Sequence, residues 1–238
     1  SLDAIAWLLN IRGNDIPYNP VLIAYVIITH TEVKLFINFE KITEAVRAHF
    51  RDVVRIYDYK LFMDHCVFHA EEEARAWIDP EKTSYDIILG IKERCRIHYN
   101  KSPVVFFKAV KNRTEIKCLK NVHVRDGAAM VKFLAWLDRA LAERRVTELS
   151  AEKKLEEFRE ENRNFRGLSF RTISAFGDHG AIVHYTASEK TDQPLTGRGL
   201  YLVDSGAQYL DGTTDITRTI EVRKPTEIYN QMFTSVLK

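Results

Sequence analysis

A chain of 238 residues with 45% hydrophobic content and a net charge of +2 at pH 7 has room for one large or two ordinary globular domains. So balanced a charge excludes a general polyanion binder, because no domain-wide surplus of Lys and Arg supplies the footprint that nucleic-acid binding needs. No apolar run reaches membrane-spanning length, and Cys66, Cys95 and Cys118 form no paired pattern, so a membrane span and a disulfide scaffold are not expected and a reducing, cytoplasmic compartment is favoured.

Residues 1 to about 121 alternate strand and helix signals, which predicts an α/β layer arrangement. Strands are expected at Ile5 to Leu9, Val21 to Thr29, Lys34 to Ile37, Val53 to Tyr57, Arg75 to Ile78 and Arg96 to Tyr99. Helices are expected at Lys41 to Phe50, around Leu61 to Ala70 and at Ser84 to Arg94. His65 and His69 stand one helical turn apart with Cys66 between them, but no third ligand of suitable spacing follows, so a helical surface or capping role is expected rather than a metal site. The run Glu71-Glu72-Glu73 reads as a solvated face.

The composition shifts near Asn121, which divides the chain into expected domains 1–121 and 122–238. From Asp126, Met130, Leu134, Leu137 and Leu141 recur at spacings of four, three and four, one apolar stripe on a long helix. Ser150 is expected to cap a second helix that buries Leu155 and Phe158. Strands follow at Ser169 to Ile173 and Ala181 to Tyr185, with Asp178-His179-Gly180 as a turn and His179 solvated. The last segment, Thr226 to Leu237, reads as helix.

Between these lies the stretch whose composition is suited to chemistry, Leu200 to Ile220. Two β-branched or aromatic runs flank Asp211-Gly212, a preferred hairpin turn. Parity puts Asp204 and Asp215 on one face. A turn at Asp211-Gly212, however, leaves them four residues out of step, about 13 Å apart along the strand. That is too far for two ligands of one centre, so metal binding requires a bulge or a turn nearer Tyr209-Leu210. Taken alone, two such aspartates read more readily as facing water than as holding a cation.

The segments Asp204-Ser205-Gly206-Ala207-Gln208-Tyr209, Asp211-Gly212-Thr213-Thr214-Asp215-Ile216-Thr217-Arg218-Thr219 and Gly180-Ala181-Ile182-Val183-His184-Tyr185 resemble the Xaa-Pro aminopeptidases, the aminopeptidase P group of the pita-bread, creatinase-like metallopeptidases. Supporting resemblance lies in Ile5 to Gly13, Ile16 to Val21 and in His123, Asp126 and Ala128-Ala129, so it spans essentially the whole chain. It implies a mixed α/β and α+β fold: a creatinase N-terminal-like α/β domain, then the first half of a pita-bread catalytic domain. The activity implied is release of an N-terminal residue from peptides with proline second, by water activated between two Mn²⁺ ions, with Zn²⁺ or Co²⁺ as alternatives. By the same resemblance Asp204 would bind one metal through both oxygens, Asp215 would bridge the two, and His184 would bind substrate and stabilise developing negative charge. Gly206 and Gly212 matter as backbone, and Thr213, Thr214 and Thr217 could hydrogen-bond the carboxylates.

The family's remaining ligands, one His and two Glu, belong to a second half not found before Lys238. The chain is therefore expected to be a fragment, inactive alone and a weak Mn²⁺ binder. A separate second half could remain associated with it, and the parent is expected to be a homodimer. Two alternatives stay open: a non-catalytic pita-bread module that binds peptide or protein, and a prolidase-type dipeptidase, because the Asp pair is shared across the superfamily.

Overall fold

Leu2–Leu9 is a helix, α1, where a strand was expected over Ile5 to Leu9. The segment is rich in Leu and Ala, strong helix formers, with Asp3 at the positive end of the helix dipole. It stops at Asn10, which takes the left-handed conformation (φ 49°, ψ 47°) that Asn tolerates. The computed structural model describes all residues except 72, 73, 144, 224 and 225. The described chain divides into two compact units, Ser1–Lys111 and Asn112–Lys238.

In the first unit, β1 (Tyr25–Ile28) pairs antiparallel with β2 (Val33–Ile37), which pairs parallel with β3 (Val54–Asp58). Helix α2 (Glu44–Phe50) fills the crossover that this parallel pair requires, and α3 (Phe62–His69) follows β3. The core gathers Leu9, Leu22, Leu35, Ile37 and Phe50. A second parallel pair joins β4 (Arg75–Ile78) to β5 (Arg96–Tyr99) through α4 (Tyr85–Ile91). A further helix, α5 (Pro103–Ala109), was not anticipated; its proline occupies the first turn, where a missing N–H costs nothing.

His65 and His69 lie half-buried on α3 rather than capping it. Both face the buried Lys34, whose Nζ lies 3.5 Å from His65 Nδ1 and 2.8 Å from His69 Nε2, with Glu32 Oε1 also at 2.8 Å. A lysine out of water keeps its charge only when paired, and this cluster supplies the partners. Of the acidic run, Glu71 is exposed, while Glu72 and Glu73 lie outside the described residues.

The second unit starts ten residues before the expected division, because the striped helix begins early: α6 runs over Arg113–Glu143. Asn112 and Glu115 cap it reciprocally, each side chain accepting from the other's backbone N–H at 2.9 and 2.8 Å. Its buried stripe is Met130, Phe133, Leu137 and Ala140, with Leu134 and Leu141 at the margin. Helix α7 (Glu148–Glu160) packs beside it. Thr147, not Ser150, is the cap. Ser150 sits three residues in and returns the bond, its Oγ accepting from Thr147 N at 2.8 Å while Thr147 Oγ1 accepts from Ser150 N at 3.2 Å.

Two antiparallel sheets meet these helices. One has the order β10–β9–β6 (Gly212–Thr213, Ala207–Tyr209, Phe165–Leu168) and the other β11–β8–β7 (Ile216–Val222, Gly199–Ser205, Ile173–Phe176). Of the strand expected at Ser169 to Ile173, residues 169–172 are the connection between the sheets and Ile173 opens β7, and Ala181 to Tyr185 is not a strand. A 3₁₀ turn occupies Gly177–Ala181, and a positive φ of 55° at His184 then breaks extension. Helix α8 (Glu227–Leu237) ends the chain, as the sequence predicts.

One carboxylate in α7 is held in an unfavourable form. Burial raises the Glu152 carboxyl to about 6, against weaker relief from Arg171, and its Oε2 is buried without a partner. The folded-state value lies above the ordinary 4.5, so the penalty is absent below about pH 4.5 and complete above about pH 6. Glu152→Gln is therefore expected to stabilise the chain by about 1–2 kcal/mol at pH 8 and to leave it unchanged near pH 4, read by urea denaturation at both values. An equal change at the two pH values would contradict this.

Candidate metal centre

Strands β8 and β9 are two stretches of one arm, β11 and β10 of the other, and the register is continuous through both. Thr217 stands opposite Asp204, Ile216 opposite Ser205, Thr213 opposite Gln208 and Gly212 opposite Tyr209. The turn is therefore Leu210-Asp211, one residue earlier than the sequence predicts. That single step slides the arms by two residues, so Asp215 falls opposite Gly206 and diagonal to Asp204 on the same face, about 7 Å along the strand.

The displaced turn has a physical cause in α6. Asp211 leaves the turn's glycine partner to accept from Arg125 Nη2 at 2.6 Å, and this cation holds its carboxyl below the usual range. Arg125 also lies over the Tyr209 ring at 5.5 Å, and Tyr209 Oη donates to Asp126 Oδ1 at 2.7 Å. Asp126 is in turn held bidentate by Arg159, at 2.9 and 3.0 Å, with both side chains fully buried. Burial, then the bond to Asp126, pushes the Tyr209 phenol well above its ordinary value, so it remains a donor.

Between the two sheets the ribbon kinks at Gly206 and Thr214. Thr214 is 1% exposed; its N–H donates to Ala207 O at 2.9 Å and its Oγ1 accepts from Ala207 N at 3.0 Å. Ser169 closes the corner, its N–H donating to Gly206 O and its Oγ to Thr214 O, both at 3.0 Å. A Cβ on Gly206 would stand 2.0 Å from Thr214 O, so only glycine fits this approach. Gly206→Ala is expected to cost about 1–3 kcal/mol in urea denaturation by forcing these strands apart. Unchanged stability would mean that the kink is not tightly packed.

The structure brings the two aspartates together. Thr217 Oγ1 donates to Asp204 Oδ1 at 2.8 Å, and the Asp215 carboxyl lies within hydrogen-bonding reach of Asp204. Desolvation, then the negative charge of Asp204 and the bond to it, raises the Asp215 carboxyl above its ordinary value. Arg159 acts weakly in the other direction. Two facing carboxylates that repel one another form a hard-oxygen donor pair suited to a divalent cation. Among the described residues no group of three or more His, Cys, Asp or Glu could hold a metal ion.

His184 is not hydrogen-bonded to either carboxylate among the described residues and is exposed, on the segment after the 3₁₀ turn. The next residue, Tyr185, packs with Ala175 and Ile173, and Ile173 stands directly opposite Asp204 on the same face of the sheet. His179 is not solvated as expected: its Nδ1 bonds the buried Glu148 at 2.9 Å. Glu148 and Arg159 are the residues sequence reasoning missed. A Glu at the first turn of a helix and an Arg near its end both read as surface charge, and no local pattern marks them as buried.

A kinked hairpin with paired aspartates on an antiparallel sheet backed by two helices defines the class: the first part of a pita-bread metallopeptidase domain. The comparisons agree. Residues 117–238 match metallopeptidase family M24, and residues 1–115 match the creatinase/prolidase N-terminal domain. The chain belongs to metallopeptidase family M24. It is 40% identical over 246 residues to a probable Xaa-Pro aminopeptidase P of Coccidioides posadasii and 42% identical to one of Aspergillus fumigatus. In both, all of this chain aligns with about two fifths of the relative's length. The X-prolyl aminopeptidase of Caenorhabditis elegans, described as a cytosolic enzyme with a di-nuclear active site, superposes with a TM-score of 0.89 at 38% identity, over 96% of this chain and 38% of that one. An Xaa-Pro dipeptidase from Bacillus anthracis shares the fold, with a TM-score of 0.75 at 21% identity over 100% of this chain and 63% of that one. No helix among the described residues is long and apolar enough to cross a membrane.

Proposed function

We propose that this protein, at its natural length, is a cytoplasmic metal-dependent aminopeptidase that releases the N-terminal residue from peptides with proline in second position. The observation that carries this reading is the meeting of Asp204 and Asp215, created by the Leu210-Asp211 turn. In this reading Ser1–Lys111 form the non-catalytic creatinase-like domain and Asn112–Lys238 part of the catalytic one. Asp204 and Asp215 are ligands of a dinuclear centre, with Mn²⁺ favoured by the hard oxygen donors and Zn²⁺ or Co²⁺ as alternatives.

Divalent cations bound there would supply a nucleophile near neutral pH by lowering the pKa of water. The protein's own residues set the geometry. Thr217 fixes the rotamer of Asp204 through its hydroxyl. The kink at Gly206 and Thr214 brings Asp215 back towards Asp204. His184, exposed beside the face that carries Asp204, donates a hydrogen bond to the peptide carbonyl oxygen as charge builds on it.

Substrate class is tested by offering the natural-length protein an Xaa-Pro-Xaa tripeptide and an Xaa-Pro dipeptide. Tripeptide hydrolysis is expected; cleavage confined to the dipeptide would make the protein a prolidase-type dipeptidase. Two carboxylates cannot fill two octahedral shells, so residues 1–238 alone are expected to bind Mn²⁺ weakly and to be inactive. Calorimetry showing two tightly bound Mn²⁺ per chain would contradict that expectation.

A further inference from the structure

We propose that Glu148 is a positioning residue for His184: its buried carboxylate gathers the two ends of the segment that carries His184 and fixes that segment on the Asp204 face of the sheet. This rests on the reading of His184 as a substrate-binding group.

Glu148, 0% exposed, is the first residue of α7. Its Oε1 accepts from Phe176 N at 2.7 Å, His179 Nδ1 at 2.9 Å and Gln193 Nε2 at 3.3 Å, and its Oε2 from Tyr185 Oη at 2.9 Å. Every one of these donors lies between residues 176 and 193, the stretch that contains His184. Gln193 also donates to Phe176 O, which closes the ring. A carboxylate removed from water is retained only when its oxygens are satisfied, and an apolar side chain would anchor the helix end as well. What the carboxylate adds is a fixed geometry for this segment.

His179 and Tyr185 are the anchors on either side of His184. Their rings stack at 4.4 Å and 28°, so the two bonds to Glu148 come from one rigid unit. Between them the chain makes two turns, Ile182 N to His179 O and Tyr185 N to Ile182 O, each 3.1 Å. His184 is left with a φ of 55°, a backbone state that a non-glycine residue keeps only where its surroundings impose it. Burial raises the Tyr185 phenol above its ordinary value, which keeps it a donor to Glu148. Tyr185 also packs on Ala175 and Ile173, tying the segment to the face that bears Asp204.

The test is a double-mutant cycle in the natural-length protein between Tyr185→Phe, which removes one hydroxyl and preserves packing, and His184→Ala. Tyr185→Phe is expected to lower kcat about tenfold, to leave metal content unchanged, and to speed amide exchange in residues 177–187 at least threefold. Once His184 is alanine, Tyr185→Phe is expected to cost nothing more, because its effect passes through that imidazole. Glu148→Gln, which replaces one acceptor by a donor, is expected to show the same non-additivity.

Multiplying losses, or unchanged exchange in 177–187, would overturn the role of Glu148 while a damaging His184→Ala keeps the reading of His184 intact. A silent His184→Ala would sink that reading, and the positioning role with it.

Discussion

Asp215→Asn in the natural-length protein is expected to lower kcat by at least about a thousandfold, the several kcal/mol that a catalytic metal contributes to its transition state, with metal content falling in parallel. Asp215 faces Asp204 across the hairpin diagonal, and their mutual repulsion, after desolvation, holds the Asp215 carboxyl above its ordinary value. Asparagine keeps the size and relieves the repulsion, so stability without metal is expected to rise slightly while activity is lost. That opposition separates a ligand from a structural residue, whose replacement lowers both. Steady-state kinetics, elemental analysis and thermal melting on one preparation check it. Retained kcat with unchanged metal would remove Asp215 from the centre.

The largest stability effect is expected inside α6 and α7. Arg159→Leu leaves the carboxylate of Asp126 buried with Tyr209 as its remaining side-chain partner, at an expected cost of about 3–5 kcal/mol. Against a typical total of about 5–15 kcal/mol, that threatens the whole Asn112–Lys238 unit. Changing both residues to leucine is expected to recover most of the loss, because the cost comes from the orphaned charge rather than the missing bond. Urea denaturation of the two single variants and the double variant decides it, and a single-variant cost below about 1 kcal/mol would mean that water reaches the pair. The consequence reaches the centre too, since Asp126 holds Tyr209 and Arg125 holds Asp211, and together they set the hairpin register.

That register shows where sequence reading stops. The hairpin, the shared face of Asp204 and Asp215 and the apolar stripe of α6 all follow from short-range periodicity. The turn position did not: Asp211-Gly212 is the better local turn, and the ion pair from Asp211 to Arg125, 86 residues away, overrides it. The same holds for His179, which local chemistry places in water and which Glu148, 31 residues earlier, takes inside. Beta-branched character over Ala181 to Tyr185 suggested a strand, but the segment serves to carry a turn at His184. In the first unit, strands β4 and β5 were legible to the residue, whereas α1, an apolar run without clear period, was not.

The most direct test of the centre is anomalous diffraction from crystals of the natural-length protein grown with Mn²⁺. Two peaks are expected at the hairpin, within bonding distance of the Asp204 and Asp215 carboxylates. No peak at either carboxylate, with the pair bridged by water or by a cationic side chain instead, would contradict the assignment of Asp204 and Asp215 as ligands.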